Sequence, residues 1–244
     1  AAEVVAAAAG SEGITWPVID GHVLPDDQYK MYETKRFNDT PILVGYNSDE
    51  GLSFGVPPTP DAYRQATRQR YGPYADRLLA AYPTDPDKIS KTARDLTRDA
   101  AFGWATWSWA RLQARHGKGK AYLYYFDQHP DYPADSPNAG RGSAHGSEIP
   151  YVFQHLPASA TEPDRVISEA MAVYWTNFAK KGDPNGPGVP AWPSYDDRDP
   201  RSMYFSRTAY VGPVPSLESM KVLDEYFTWR RTADGAKFGT SGQR

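Results

Sequence analysis

Two short apolar runs, Pro41-Ile42-Leu43-Val44-Gly45 and Ala121-Tyr122-Leu123-Tyr124-Tyr125-Phe126-Asp127, constrain this chain more than any other feature, because two long helical stretches lie between them. Continuous apolar runs of this length are what strands buried on both faces require. Parallel neighbours also need a crossover of about a dozen or more residues, usually helical. Residues 61–79 and 87–115 supply one. In the second stretch Ile89, Ala93, Leu96, Ala100, Trp104 and Trp107 recur at spacings of three and four, and Gly117 and Gly119 close it. The expected fold class is α/β, with a mostly parallel central sheet flanked by helices.

The rest of the chain continues this alternation. Ile167, Ala170, Met171, Tyr174, Trp175 and Phe178 form an amphipathic stripe that Gly182 closes, with Pro184 beyond. Residues 202–206 read as a final strand. Leu217, Met220, Leu223 and Phe227 mark a last helix. Near the start, Asp20-Gly21 between short apolar stretches reads as a hairpin-like turn. The Ala-rich residues 1–10 read as the last turns of a helix begun upstream, and the polar residues 232–244 as a flexible tail. Neither repeats nor a dividing linker is visible, so residues 1–244 read as one segment of a single domain.

Bulk properties exclude several classes of function. A net charge of −3, without a Lys/Arg run, provides no electrostatic footprint for nucleic acid. No apolar stretch approaches the roughly 18 residues of a membrane span. The absence of cysteine removes disulfides, a thiolate nucleophile and Cys-ligated zinc. It leaves the compartment open, with a lean toward a secreted or periplasmic location over the cytoplasm. No His/Asp/Glu cluster has metal-ligand spacing, and no motif calls for a metal or an organic cofactor.

Chemistry concentrates in two Gly-bounded loops that follow the strand runs. Asn47-Ser48-Asp49-Glu50-Gly51 follows the first, and His145-Gly146-Ser147-Glu148 follows the second through the polar, Pro/Gly-rich residues 128–144. In open α/β sheets, ligands bind at the carboxyl ends of strands, so both loops belong at one edge of the sheet. A carboxylate on one imidazole nitrogen holds the tautomer that leaves the other nitrogen free to take a proton. Glu50 and His145 are therefore the candidate catalytic residues, acid before base. No Gly-x-Ser-x-Gly occurs anywhere in the chain, so a serine nucleophile is not supplied by these 244 residues.

Each of these residues also has an ordinary reading. A D-E-G tripeptide on its own is a solvated turn, and Asp49 reads as a loop-capping or surface residue. His22, His116, His129 and His155 read as structural or solvated. Glu148 is a supporting or helix-start carboxylate. Trp104, Trp107 and Trp109 read as core, with Trp109 off the main stripe.

Several stretches carry a family resemblance: the turn at Asp20 to Pro25, FNDTPILVGYNSDEG from Phe37, HGSEIPYVF from His145, and WTNFAKKGDPNGPGVPAWP from Trp175. The chain resembles the C-terminal half of the type-B carboxylesterases, the α/β-hydrolase group of para-nitrobenzyl-type esterases, cholinesterases and some fungal lipases. That resemblance implies Glu50 as triad acid and His145 as base. It also implies a nucleophilic serine and oxyanion hole on an N-terminal segment, expected as a separate chain, and a small carboxylic ester as substrate. The runner-up is a non-catalytic adhesion or scaffold protein of the same fold.

Overall fold

The computed structural model describes residues 18–238, so the expected helix end at residues 1–10 and residues 239–244 of the expected tail at 232–244 lie outside the described residues. The chain divides into two compact units, residues 1–38 and 39–244.

In the first unit, Asp20 Oδ1 accepts the backbone N–H groups of His22, Val23 and Leu24. Residues 18–24 contain no strand, so the expected hairpin is instead a side-chain-capped turn. One short helix follows, α1 (Gln28–Glu33), capped by the Asp27 carboxylate.

The second unit is built on a four-stranded sheet of β1 (Ile42–Asn47), β2 (Ala121–Phe126), β3 (Arg201–Phe205) and β4 (Ala209–Pro213), in that spatial order. The β1–β2 and β2–β3 pairs are parallel, with Ile42 opposite Ala121 and Asn47 opposite Phe126. The last pair is antiparallel. β1 and β2 thus end level, which brings the loops after them together. Residues 202–206 do not form the final strand. β4 follows, with a sequence too short and too Gly/Pro-punctuated to declare itself before pairing to β3.

Five helices fill the connections around the sheet: α2 (Pro60–Tyr71), α3 (Ala75–Ala81), α4 (Ile89–Arg98), α5 (Trp104–His116) and, beyond β2, the four-residue α6 (Ile149–Val152). The long α7 (Glu162–Lys181) leads toward β3, and α8 (Leu217–Arg230) with α9 (Ala233–Lys237) closes the described chain. Two of the expected continuous helices are interrupted. Gly72-Pro73 breaks the first between α2 and α3. The second contains a wide π turn at Asp99–Gly103 between α4 and α5. α7 ends where its sequence requires, on Gly182 in the left-handed region at φ 68°.

Period-two alternation along β2 divides the core into layers. Ala121 and Leu123 face one side, packed with Ile42, Trp107, Ala110 and Met220. Tyr122 and Phe126 face the other, against Ile167, Met171, Tyr174 and Trp192. A further apolar cluster, including Tyr63, Leu78, Leu96 and Leu223, joins the crossover helices to α8. A sheet covered on both faces explains why β2 reads as an uninterrupted apolar run.

Candidate active site

The site begins where β1 runs out. Ser48 N–H extends the ladder by one bond to the Phe126 carbonyl, 2.9 Å, and the chain then folds into a 3-10 turn, Glu50–Ser53. That turn lies so close to α4 that a Cβ at residue 51 would sit 2.4 Å from the Arg94 carbonyl oxygen. Only glycine fits there, which is the physical content of the glycine in D-E-G. Gly51→Ala is therefore expected to push the acid loop off α4 and cost about 1–3 kcal/mol of stability. A chemical-denaturation midpoint equal to wild type would show that the loop has room to spare.

The turn carries Glu50 inward. Its side chain is only 5% exposed, one oxygen accepts Asn47 N–H at 2.9 Å, and the other lies 2.6 Å from His145 Nδ1. Burial pushes the Glu50 carboxyl above its ordinary range, against the pull of the Asn47 and His145 hydrogen bonds. The carboxylate is thus poorly solvated and depends on these two donors. The imidazole is 59% exposed, so its second nitrogen is open to whatever approaches.

Beyond the Glu50–His145 contact, five hydrogen bonds strap the His145 loop to the Glu50 loop. Asp49 N–H donates to the Ser143 carbonyl at 2.9 Å, and Ser143 N–H donates to Ser48 Oγ at 2.9 Å. Asp49 Oδ2 accepts Gly142 N–H at 3.1 Å, and Asn47 Nδ2 donates to the Ala144 carbonyl at 2.8 Å. The same Asn47 amide reaches Glu148 Oε2 at 2.5 Å. A long loop is thereby held rigid for the residues immediately before His145.

The structure brings Glu50 and His145 together, with Glu148 nearby on Asn47, and engages His129 elsewhere. His129 Nδ1 contacts the Pro130 carbonyl, and its Nε2 lies 3.8 Å from Asp127. Asp49 is buried and not at the surface; it caps the Gly142 amide and pairs with Arg94 Nε at 2.8 Å. Trp107 is core, Trp104 is half-buried with its indole N–H on Asp224, and Trp109 is exposed. Among the described residues no group of His, Asp and Glu could hold a metal ion, and no helix is long and apolar enough to cross a membrane.

Cavities of about 240 and 380 Å³ flank the His145 loop near Gln128, His129 and Tyr151, but neither is lined by Glu50 or His145. The buried carboxylate and the exposed imidazole therefore meet outside both cavities.

Sequence reasoning missed Asn47 as the hub of both loops. Its only signal is its place at the end of an apolar run, which many loop asparagines share. It also missed Arg98, whose buried guanidinium donates to the Ser48 carbonyl at 2.9 Å. With Nδ1 as the donor to Glu50, Nε2 is the free acceptor, a tautomer assigned from the hydrogen bonding.

The Glu50 carboxylate and the His145 imidazole thus meet beyond the carboxyl ends of the parallel strands β1 and β2, in a sheet covered on both faces. The Carboxylesterase family model matches residues 3–212. Carboxylesterase 1C of Rattus norvegicus is 30% identical over 207 residues, 75% of this chain and 37% of that protein. Neuroligin-3 of Mus musculus is 30% identical over 235 residues, 75% of this chain and 27% of that protein. Among solved structures, a PNB esterase superposes with a TM-score of 0.70 at 22% identity, covering 90% of this chain and 46% of that one. The chain belongs to the carboxylesterase family, and its fold is that of part of an α/β hydrolase. It spans 37% and 27% of the two relatives and 46% of the solved structure.

Proposed function

We propose that the chain supplies the acid and the base of a serine carboxylesterase, with Glu50 and His145 in those roles. The observation that carries this reading is the 2.6 Å contact from the buried Glu50 carboxylate to Nδ1 of an imidazole that is otherwise open. The nucleophilic serine and the oxyanion donors come from a segment outside these 244 residues that bears Gly-x-Ser-x-Gly, as a separate chain or a preceding one. Among the described residues β1 has a strand partner on one side only, so a further strand can pair along its other edge.

In this reading the serine hydroxyl attacks the ester carbonyl while His145 Nε2 takes its proton. The resulting imidazolium is stabilised by Glu50 and then protonates the leaving alcohol. Water repeats the sequence to release the acid, and backbone N–H groups of the added segment hold the oxyanion. No metal or cofactor enters the scheme.

The test is a short-chain aryl ester assay with and without that segment. Residues 1–244 alone are expected to show no turnover above imidazole-catalysed background, and the combination to show Ser- and His145-dependent hydrolysis. Turnover by the chain alone would mean a nucleophile within it. The match to Neuroligin-3 supports the second reading, an adhesion or scaffold protein. An assembly that forms with the serine present yet hydrolyses nothing would favour it.

A further inference from the structure

The π turn at Asp99–Gly103 interrupts an otherwise regular crossover helix, and Trp104 N–H donates to the Asp99 carbonyl five residues back. One residue is thereby added to the turn, and the side chains on its outer side rotate relative to the α4 and α5 stripes. Ala100 and Gly103 stay buried, while Phe102 is half-buried and turned toward the acid and base loops. Its ring centroid lies 5.1 Å from that of His145, at 36° between planes. The same ring also meets Phe54, which ends the 3-10 turn begun by Glu50, at 6.0 Å. Single-turn π segments recur at functional sites because they aim a side chain that a regular helix would direct elsewhere.

The imidazole needs such a support. One hydrogen bond at Nδ1 leaves the ring free to rock about its Cβ–Cγ bond, and 59% of its side-chain surface is open. A flat apolar wall against one face restricts that motion without competing for either nitrogen. We propose that Phe102, placed by the π turn, is a positioning residue that holds the His145 ring plane so that Nδ1 stays on Glu50 and Nε2 stays on the open side. The role rests on the acid–base reading of the pair above. Phe54, attached to the acid loop, contacts Phe102 in turn and so ties the wall to that loop.

The experiment reads the His145 ring nitrogens by NMR in the 244-residue chain labelled with nitrogen-15, at neutral pH. Wild type is expected to show one tautomer, with a solvent-protected Nδ1–H resonance and a bare Nε2. Phe102→Leu and Phe102→Met keep an apolar side chain of similar volume, so the fold is retained and the backbone amide spectrum serves as its control. In both, the Nδ1–H resonance is expected to be lost to exchange and the tautomers to become mixed, whereas Phe102→Tyr restores the wild-type pattern. Glu50→Gln should remove the resonance with Phe102 in place. If Phe102→Leu and Phe102→Met keep the protected Nδ1–H and lose only the ring-current shift, Phe102 is a bystander and the proposal is overturned while the Glu50–His145 pair stands. If wild type itself shows no Glu50-dependent resonance, the pair fails and the positioning role falls with it.

Discussion

Glu50→Gln is expected to lower turnover of the assembled esterase by on the order of 10⁴, as neutralising a triad acid does. The fold should persist, because the amide oxygen can still accept Asn47 N–H, the bond that seats this side chain at 2.9 Å. The other end of the group changes its chemistry. Where a carboxylate oxygen meets His145 Nδ1 at 2.6 Å, an amide NH₂ donates and makes Nδ1 the acceptor. The proton then resides on Nε2, the nitrogen that must be bare to activate a hydroxyl, and no charge remains to stabilise the imidazolium. The loss should therefore fall on kcat and leave KM nearly unchanged. Asp49→Asn is the control. Asp49 is equally buried and adjacent in sequence, but it faces Arg94 and the Gly142 amide, not His145. It should loosen the loop and cost far less in rate. Reversed effects would show the acid to be misassigned, and equal small losses would favour the scaffold reading.

Arg98→Met is expected to have the largest effect on stability. The Arg98 side chain is 6% exposed and Asp99 is 0% exposed, with Nε 2.8 Å from the carboxylate. The guanidinium also donates to the Ser48 carbonyl, to Asp95 at 2.9 Å and to Ser216 Oγ at 3.1 Å, while Tyr82 donates its hydroxyl to Asp99 at 2.8 Å. Removing the cation leaves Asp99 buried with no opposite charge beside it at this depth. Breaking one side of a buried pair costs about 3–5 kcal/mol, and for a unit of this size that lowers Tm by about 6–20 °C. Asp99→Asn added to Arg98→Met should recover part of the loss, because the stranded charge is gone. If the double variant melts no higher than Arg98→Met, the cost comes from the lost bonds to Ser48 and Ser216 and not from the uncompensated carboxylate. Either way the acid loop depends on this arginine, since the Ser48 carbonyl it holds lies two residues before Glu50.

Local readings succeeded where a residue pattern and a physical requirement coincide. β1 and β2 were visible as apolar runs because both faces of each strand are covered, and the crossover was visible because its stripe at Ile89, Ala93, Leu96, Ala100 and Trp107 packs inward. The Gly182 helix end was legible for a similar reason. β4 was not, because an edge strand carries little apolar pattern of its own. The π turn was not, since the stripe runs through it with the same spacing on either side. The Gly72-Pro73 break is written in the sequence, and it interrupts the helix although the residues on both sides favour one.

Composition and order by themselves determined an α/β sheet with a carboxylate and an imidazole at the strand ends, acid before base. Burial on both sheet faces demands continuous apolar runs, and parallel strands demand long connections, so both leave a local trace. Only the tertiary structure decided that Asn47 and Asp49 strap two loops across some ninety residues of sequence, with separations of 97 and 93 between partners. Only the tertiary structure decided that Arg98 underpins Ser48, and that Phe102 lies against His145. Such contacts join residues whose identity says nothing about their partner: an asparagine, an arginine or a phenylalanine satisfies its chemistry with whichever group the fold brings near, and that is settled only when the sheet, its crossover helices and both loops are assembled together.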